Sequence, residues 1–197
     1  MKKIILAIFL FSILGCKSQI VKTNNMENFD LKKFRENNSN ENHIGFLLEN
    51  GDKVQQFTGG SGKGFVERIE KKNIPFTIVK AYHENTVISS KGEEFYDFPI
   101  GTWQYYNEIG NLIKEVNYDK EYKFSISNLA KKMKDEYKID ILLKSPWIRT
   151  LRDKSNIGVI YKVIVFLNES KYSDTKNYII DGNTGKTISE KVLIYQE

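Results

Sequence analysis

Gly101-Thr102-Trp103-Gln104-Tyr105-Tyr106-Asn107-Glu108-Ile109-Gly110-Asn111-Leu112-Ile113-Lys114-Glu115 is the stretch whose reading decides the fold. An aromatic-rich run, a polar turn closing near a glycine and a second apolar run read as strand, turn and strand, placed at Gly101 to Tyr106 and Leu112 to Tyr118. Working upstream, the same reading places strands at Val87 to Ser90, Phe76 to Tyr82 and Phe65 to Ile69. Pro75 and Pro99 stand just ahead of two strands, where a missing N–H does least harm. Ile44 to Leu48 and Lys53 to Thr58 are joined through Asn50-Gly51, a dipeptide suited to a type I′ turn, whose two central residues both need positive φ. To about residue 118 the chain reads as antiparallel β structure.

Laid over one another, Tyr82-His83-Glu84-Asn85-Thr86-Val87-Ile88 and Tyr106-Asn107-Glu108-Ile109-Gly110-Asn111-Leu112-Ile113 form a weak repeat with 24 residues between the two tyrosines. A period in this range points to stacked hairpins. The earlier copy has no glycine where Gly110 stands in the later one. Residues 101–115, with Lys91-Gly92 to Tyr96 as a preceding strand, resemble the variant MORN repeat of bacterial proteins. Proteins with that repeat include antitoxin-like and immunity components, so the resemblance implies a module that neutralises a toxin by binding it.

After Tyr118 the period changes. Ile126, Leu129, Ala130, Met133 and Tyr137 recur at helical spacing, with Ser125 or Ser127 as N-cap and Lys131, Lys132, Lys134 and Asp135 on the other face. Ile139 to Leu143, Val159 to Leu167, Tyr178 to Asp181 and Lys186 to Ile194 then read as strands, the last two joined by the turn Asp181-Gly182-Asn183-Thr184-Gly185. That ending is faintly similar to PepSY-type periplasmic domains. The expected class is α+β: antiparallel hairpins followed by an amphipathic helix packed on a C-terminal antiparallel sheet.

At the other end, Lys2 and Lys3 precede the apolar run Ile4 to Leu14 and then Gly15-Cys16, the layout of an export signal. Eleven residues at about 1.5 Å each cover roughly half of a ~30 Å hydrocarbon core, too little to span it. Ile13-Leu14-Gly15-Cys16 resembles the lipobox of bacterial lipoproteins, which implies cleavage before Cys16 and acylation of its thiol. Cys16 is the single cysteine, so it has no disulfide partner. The expected organisation is a signal peptide over 1–15, a lipidated tether over 16–42 in which Asp30 caps a short helix that docks Phe34 on the domain, a hairpin region over 43–120 and a helix with antiparallel sheet over 121–197. A lipid bilayer is then one partner. Lys17 rather than aspartate after the cysteine favours the outer membrane over the inner.

Several chemistries are disfavoured. The chain carries 30 basic and 25 acidic residues, and the signal takes Lys2 and Lys3 with it. The charges are interspersed and form no basic stripe, so nucleic acid is not an expected partner. Gly59-Gly60-Ser61-Gly62-Lys63-Gly64 imitates a phosphate loop, but the required glycine and hydroxyl positions hold Phe57 and Gly64, which points to a plain connection and no nucleotide. No cofactor and no metal are expected. His43 and His83 are the only histidines, and no serine stands in a Gly-x-Ser-x-Gly elbow. Glu93, Glu94 and Asp97 near Trp103 suit a polysaccharide hydrolase superficially, yet adjacent Glu93 and Glu94 on one strand face opposite ways.

The aromatic set Tyr82, Phe95, Tyr96, Phe98, Trp103, Tyr105, Tyr106 and Tyr118 reads either as the core of a thin sheet or as a binding surface. Tyr82, Tyr96, Trp103, Tyr105 and Tyr106 are the candidate contact residues, and by strand alternation Trp103 and Tyr105 share a face while Tyr106 takes the other. The expected function is a non-enzymatic, lipid-anchored protein-binding module of the cell envelope. The alternatives are an envelope polysaccharide hydrolase or a structural tether.

Overall fold

The structure, a computed structural model, describes residues 26–38, 45–156, 158–168 and 171–194. Its first sheet takes seven antiparallel strands in chain order: β1 (Phe46–Leu47), β2 (Lys53–Thr58), β3 (Phe65–Glu70), β4 (Phe76–Tyr82), β5 (Ile88–Phe95), β6 (Phe98–Tyr106) and β7 (Leu112–Asn117). Helix α1 (Leu31–Asn38) precedes the sheet and α2 (Ile126–Tyr137) follows it. The second sheet, ordered β11-β10-β9-β8, contains β8 (Ile148–Ser155), β9 (Gly158–Asn168), β10 (Lys171–Asp181) and β11 (Thr187–Leu193). This is the expected α+β class. Cys16, the signal, His43 and the tether outside 26–38 lie beyond the described residues.

The 24-residue repeat is written in hydrogen bonds. His83 N donates to Val87 O at 2.8 Å and Thr86 N to His83 O at 3.0 Å; 24 residues on, Asn107 N donates to Asn111 O at 3.0 Å and Gly110 N to Asn107 O at 2.9 Å. Thr86 (φ 72°) therefore stands where Gly110 (φ 77°) stands in the second copy. The turn between β1 and β2 uses the same pattern, through Leu48 N to Asp52 O, Gly51 N to Leu48 O and Gly51 at φ 84°. It is thus a three-residue loop with one left-handed residue, not the type I′ turn expected at Asn50-Gly51. Asn50 serves by its side chain instead, its Oδ1 accepting from Asp52 N at 3.0 Å.

Other expectations shift. The two runs read at Val87 to Ser90 and Lys91 to Tyr96 merge into one strand, β5, which covers Ile88 to Phe95 and leaves Val87 and Tyr96 just outside it. Pro99 lies inside β6 opposite Glu94 rather than ahead of the strand. Residues 26–38, inside the expected tether, pack on the first sheet. Ile88 N donates to Glu27 O and Phe29 N to Thr86 O, and buried Phe29 stacks on Phe65 at 4.5 Å and packs on Tyr82 at 5.1 Å. Asp30 caps α1 by accepting from Lys33 N at 2.9 Å. Lys80 and Lys91 face each other across β4 and β5, an arrangement that alone would repel. The Glu27 carboxylate reaches both, at 2.7 and 3.6 Å, and so fastens the entering chain to the sheet.

Ser125 Oγ caps α2 by accepting from Asn128 N at 3.2 Å, and the helix buries Leu129, Ala130 and Met133. These meet Phe95, Phe98 and Ile100 of the first sheet and Tyr161, Val163, Tyr178 and Ile180 of the second, so both sheets share one core. Ile139 to Leu143 is a turn rather than the expected strand: Asp140 Oδ1 accepts from Leu142 N at 3.1 Å while Ile141 is fully buried. In its place β8, unexpected because its sequence is polar, forms the edge of the second sheet.

From β8 the nearly fully buried Arg152 side chain ties these parts together. Its Nη1 donates to Pro99 O and Tyr118 O, each at 3.3 Å, and lies 2.7 Å from Asp119 Oδ1; Nη2 donates to Tyr161 Oη at 3.2 Å. The guanidinium sits over the Tyr122 ring at 4.2 Å. Asp119 in turn accepts from Gly101 N at 3.0 Å.

Two outcomes follow from these local geometries. Thr86→Gly removes a β-branched residue from the left-handed region and should stabilise the fold by about 0.5–1 kcal/mol net of the added unfolded-state freedom, read from urea denaturation. Arg152→Met strands buried acceptors from both sheets and should cost about 2–3 kcal/mol in the same assay, with Arg152→Lys recovering less than half because one ammonium cannot replace the planar fork.

Candidate functional site: an aromatic face and its neighbouring cleft

The strand register assigns the candidate residues to different environments. Tyr105 pairs with Ser90, Ser90 with Ala81 and Ala81 with Val66, so these share one face of the first sheet; by alternation Trp103, Gly92, Val79 and Arg68 join them. The Arg68–Glu94 ion pair, 2.7 Å long, crosses this face from β3 to β5 over β4.

Trp103 lies flat where Gly92 has no side chain: a Cβ built on Gly92 would come within 2.3 Å of the indole. Its Nε1 donates to Glu93 O at 3.0 Å. The Tyr118 ring meets Trp103 edge-on at 6.0 Å, and the Tyr105 and Tyr118 hydroxyls are 3.1 Å apart. Trp103 and Tyr105 of β6 and Tyr118, one residue past β7, thus form one partly exposed cluster. Tyr118 belongs to the aromatic set read from the sequence but not to the five contact candidates.

The other three candidates do not join this face. Tyr82 is buried beneath Phe29, and burial lifts its hydroxyl well above the ordinary phenol range. Tyr106 takes the opposite face, its hydroxyl donating to Gln104 Oε1 at 2.9 Å beneath Lys91. Tyr96 is in the two-residue turn between β5 and β6 at φ 55°, packs edge-on against Phe95 at 4.9 Å and donates its hydroxyl proton to Ile141 O at 3.2 Å. None of these three is part of the Trp103–Tyr105–Tyr118 cluster.

Beside the cluster a cleft of about 630 Å³ opens between the sheets, lined by Pro99, Val116, Tyr118, Tyr122, Arg152 and Lys154 among others. Tyr118 belongs to both features. Sequence reasoning missed the β8 contribution, since Arg152 and Lys154 sit in a run without an apolar period.

No family model, curated protein or solved structure matches the chain. The site is therefore read from its own geometry. Glu93 and Glu94 point to opposite faces, and Glu94 is engaged by Arg68. His83 Nε2 is bonded to Tyr106 O at 3.0 Å. Among the described residues no group of three or more His, Cys, Asp or Glu is placed to hold a metal ion.

Burial, reinforced by the Tyr118 hydroxyl, pushes the Tyr105 hydroxyl up to about 12, and burial does the same for Tyr96. In the unfolded chain both titrate near 10. Above that pH the unfolded chain sheds protons that the folded chain keeps, so the stability these groups contribute is whole below about pH 10 and drains away as pH rises through about 12. Tyr105→Phe and Tyr96→Phe should each flatten the alkaline fall in stability, measured by urea denaturation from about pH 8 to about pH 11.

Proposed function

We propose that the protein is a lipid-anchored component of the cell envelope, held at the outer membrane through acylated Cys16, and that its first sheet works without catalysis as a protein-binding module. The observation that carries this reading is the Trp103–Tyr105–Tyr118 cluster, three partly exposed rings held on a sheet by the Gly92 seat and a shared hydroxyl contact. Rigid amphipathic rings give contact area at low entropic cost and are the residue types that dominate interface energetics. The adjoining cleft extends the surface with apolar walls from Pro99, Val116 and Tyr122 and a rim of mixed charge, where Lys120 stands beside the Lys154–Glu121 ion pair. Engagement of Glu94 by Arg68 supports binding over hydrolysis. Neutralisation of a toxin is the specific form that the repeat resemblance suggests.

The test is capture, with the tagged full-length protein in its own envelope, comparing wild type with a Tyr105→Ala/Tyr118→Ala double variant of verified fold. A specific partner whose affinity falls about tenfold or more in the variant is expected. Recovery of the same proteins by both forms, or of none by either, overturns the reading.

A further inference from the structure

The described chain enters at one end of the first sheet, beside an apolar corner of that end. Met26 lies beside Gly110, since a Cβ there would come within 2.7 Å of its Sδ. The adjoining turn and β7 present Ile109, Leu112 and Ile113, which are 70%, 49% and 65% exposed, and Met26 itself is 47% exposed. The turn is well braced: Asn107 Oδ1 accepts from Ile109 N and Asn111 N, and Asn85 Nδ2 donates to Glu108 O at 2.9 Å from the neighbouring turn. Ile113 is held out as the extra residue of a bulge between the Tyr105–Lys114 and Tyr106–Leu112 pairs. Four exposed apolar side chains are thereby fixed at one tip. The second sheet joins the opposite end of the first, where Lys144 N donates to Asn73 O.

Ten positions separate Cys16 from Met26, a reach of about 35 Å at full extension. An acylated Cys16 therefore limits this tip to about 35 Å from the bilayer, while the second sheet lies at the far end of the first. We infer that Met26, Ile109, Leu112 and Ile113 dock on the lipid surface as a second membrane contact that sets the orientation of the protein. The inference rests on the lipid-anchor reading proposed above. The contact is apolar rather than electrostatic: the charges of the neighbouring turns include Lys63, paired with Glu84 at 3.8 Å, and Glu108, and make no cationic patch.

Because Cys16 is the single cysteine, acylation leaves an introduced cysteine as the only thiol to label. Full-length protein carrying Asn111→Cys is nitroxide-labelled, placed in phosphatidylcholine vesicles and compared with a Leu143→Cys form labelled at the far end; mass spectrometry reports Cys16 acylation. Acylated protein whose residue-111 label is several-fold more accessible to oxygen than to a water-soluble nickel complex, with the residue-143 label water-exposed, is the expected result. Adding Ile109→Ser and Ile113→Ser should abolish that difference while acylation persists. A water-exposed residue-111 label on acylated protein overturns the docking and leaves the anchor standing. Dipolar broadening between labels assigns the tip to a second copy and overturns it likewise. Absence of acylation overturns both readings.

Discussion

The Arg152 guanidinium is the point at which the two sheets and the segment between them are made into one object. Burying an arginine is expensive, and the cost is offset only when its donors find acceptors. Here Nη1 and Nη2 find carbonyls at Pro99 and Tyr118, the Asp119 carboxylate and the Tyr161 hydroxyl, which belong to the first sheet, the connecting segment and the second sheet, while the buried Nε has no hydrogen-bond partner among the described residues. The consequence reaches the aromatic face. Tyr118 is held on one side by Arg152 and on the other by its N–H donating to Gly101 O at 2.9 Å, and this places its ring against Trp103 and its hydroxyl against Tyr105. A residue outside the first sheet thus decides the shape of the surface proposed to bind.

The hairpins were legible in the sequence because a turn is a local event. Asn107 to Asn111 declares itself through Gly110, and the 24-residue offset carries the same geometry back to His83 to Val87. What the offset hides is that Thr86 adopts the left-handed backbone without glycine's freedom, held there by Phe29 N donating to its carbonyl. The helix α2 was legible for the same local reason, since its cap and its buried stripe occur within thirteen residues. The β8 strand and the 139–143 turn were not. Ile148–Ser155 has two apolar residues among four charged ones and no regular alternation, and Ile139 to Leu143 is apolar because Ile141 plugs the shared core, not because it pairs with a strand.

Of the candidate site, alternation within β6 correctly separated Trp103 and Tyr105 from Tyr106, since side-chain direction in a strand has period two. It could not separate Tyr82 from them, because Tyr82 is covered by Phe29, a residue that composition alone assigned to a tether. Nor could it promote Tyr118, whose role depends on Arg152, 34 positions away. Within residues 26–38 the helix capped by Asp30 was legible, but the extent of the packing was not, because a polar segment with a few aromatic residues looks like linker until the cavity that receives Phe29 is known.

The bulge in β7 has a further bearing. Next to the aromatic cluster, the outermost strand of the first sheet carries an extra residue at Ile113 and charges at Lys114 and Glu115. A straight row of backbone donors and acceptors is what lets a foreign strand zip onto a sheet, and here the row is interrupted and flanked by charge. Growth of the sheet by one more strand is thereby discouraged on this margin, so that an approaching protein is met by ring faces and hydroxyls instead of bare peptide groups, and its identity is judged by shape.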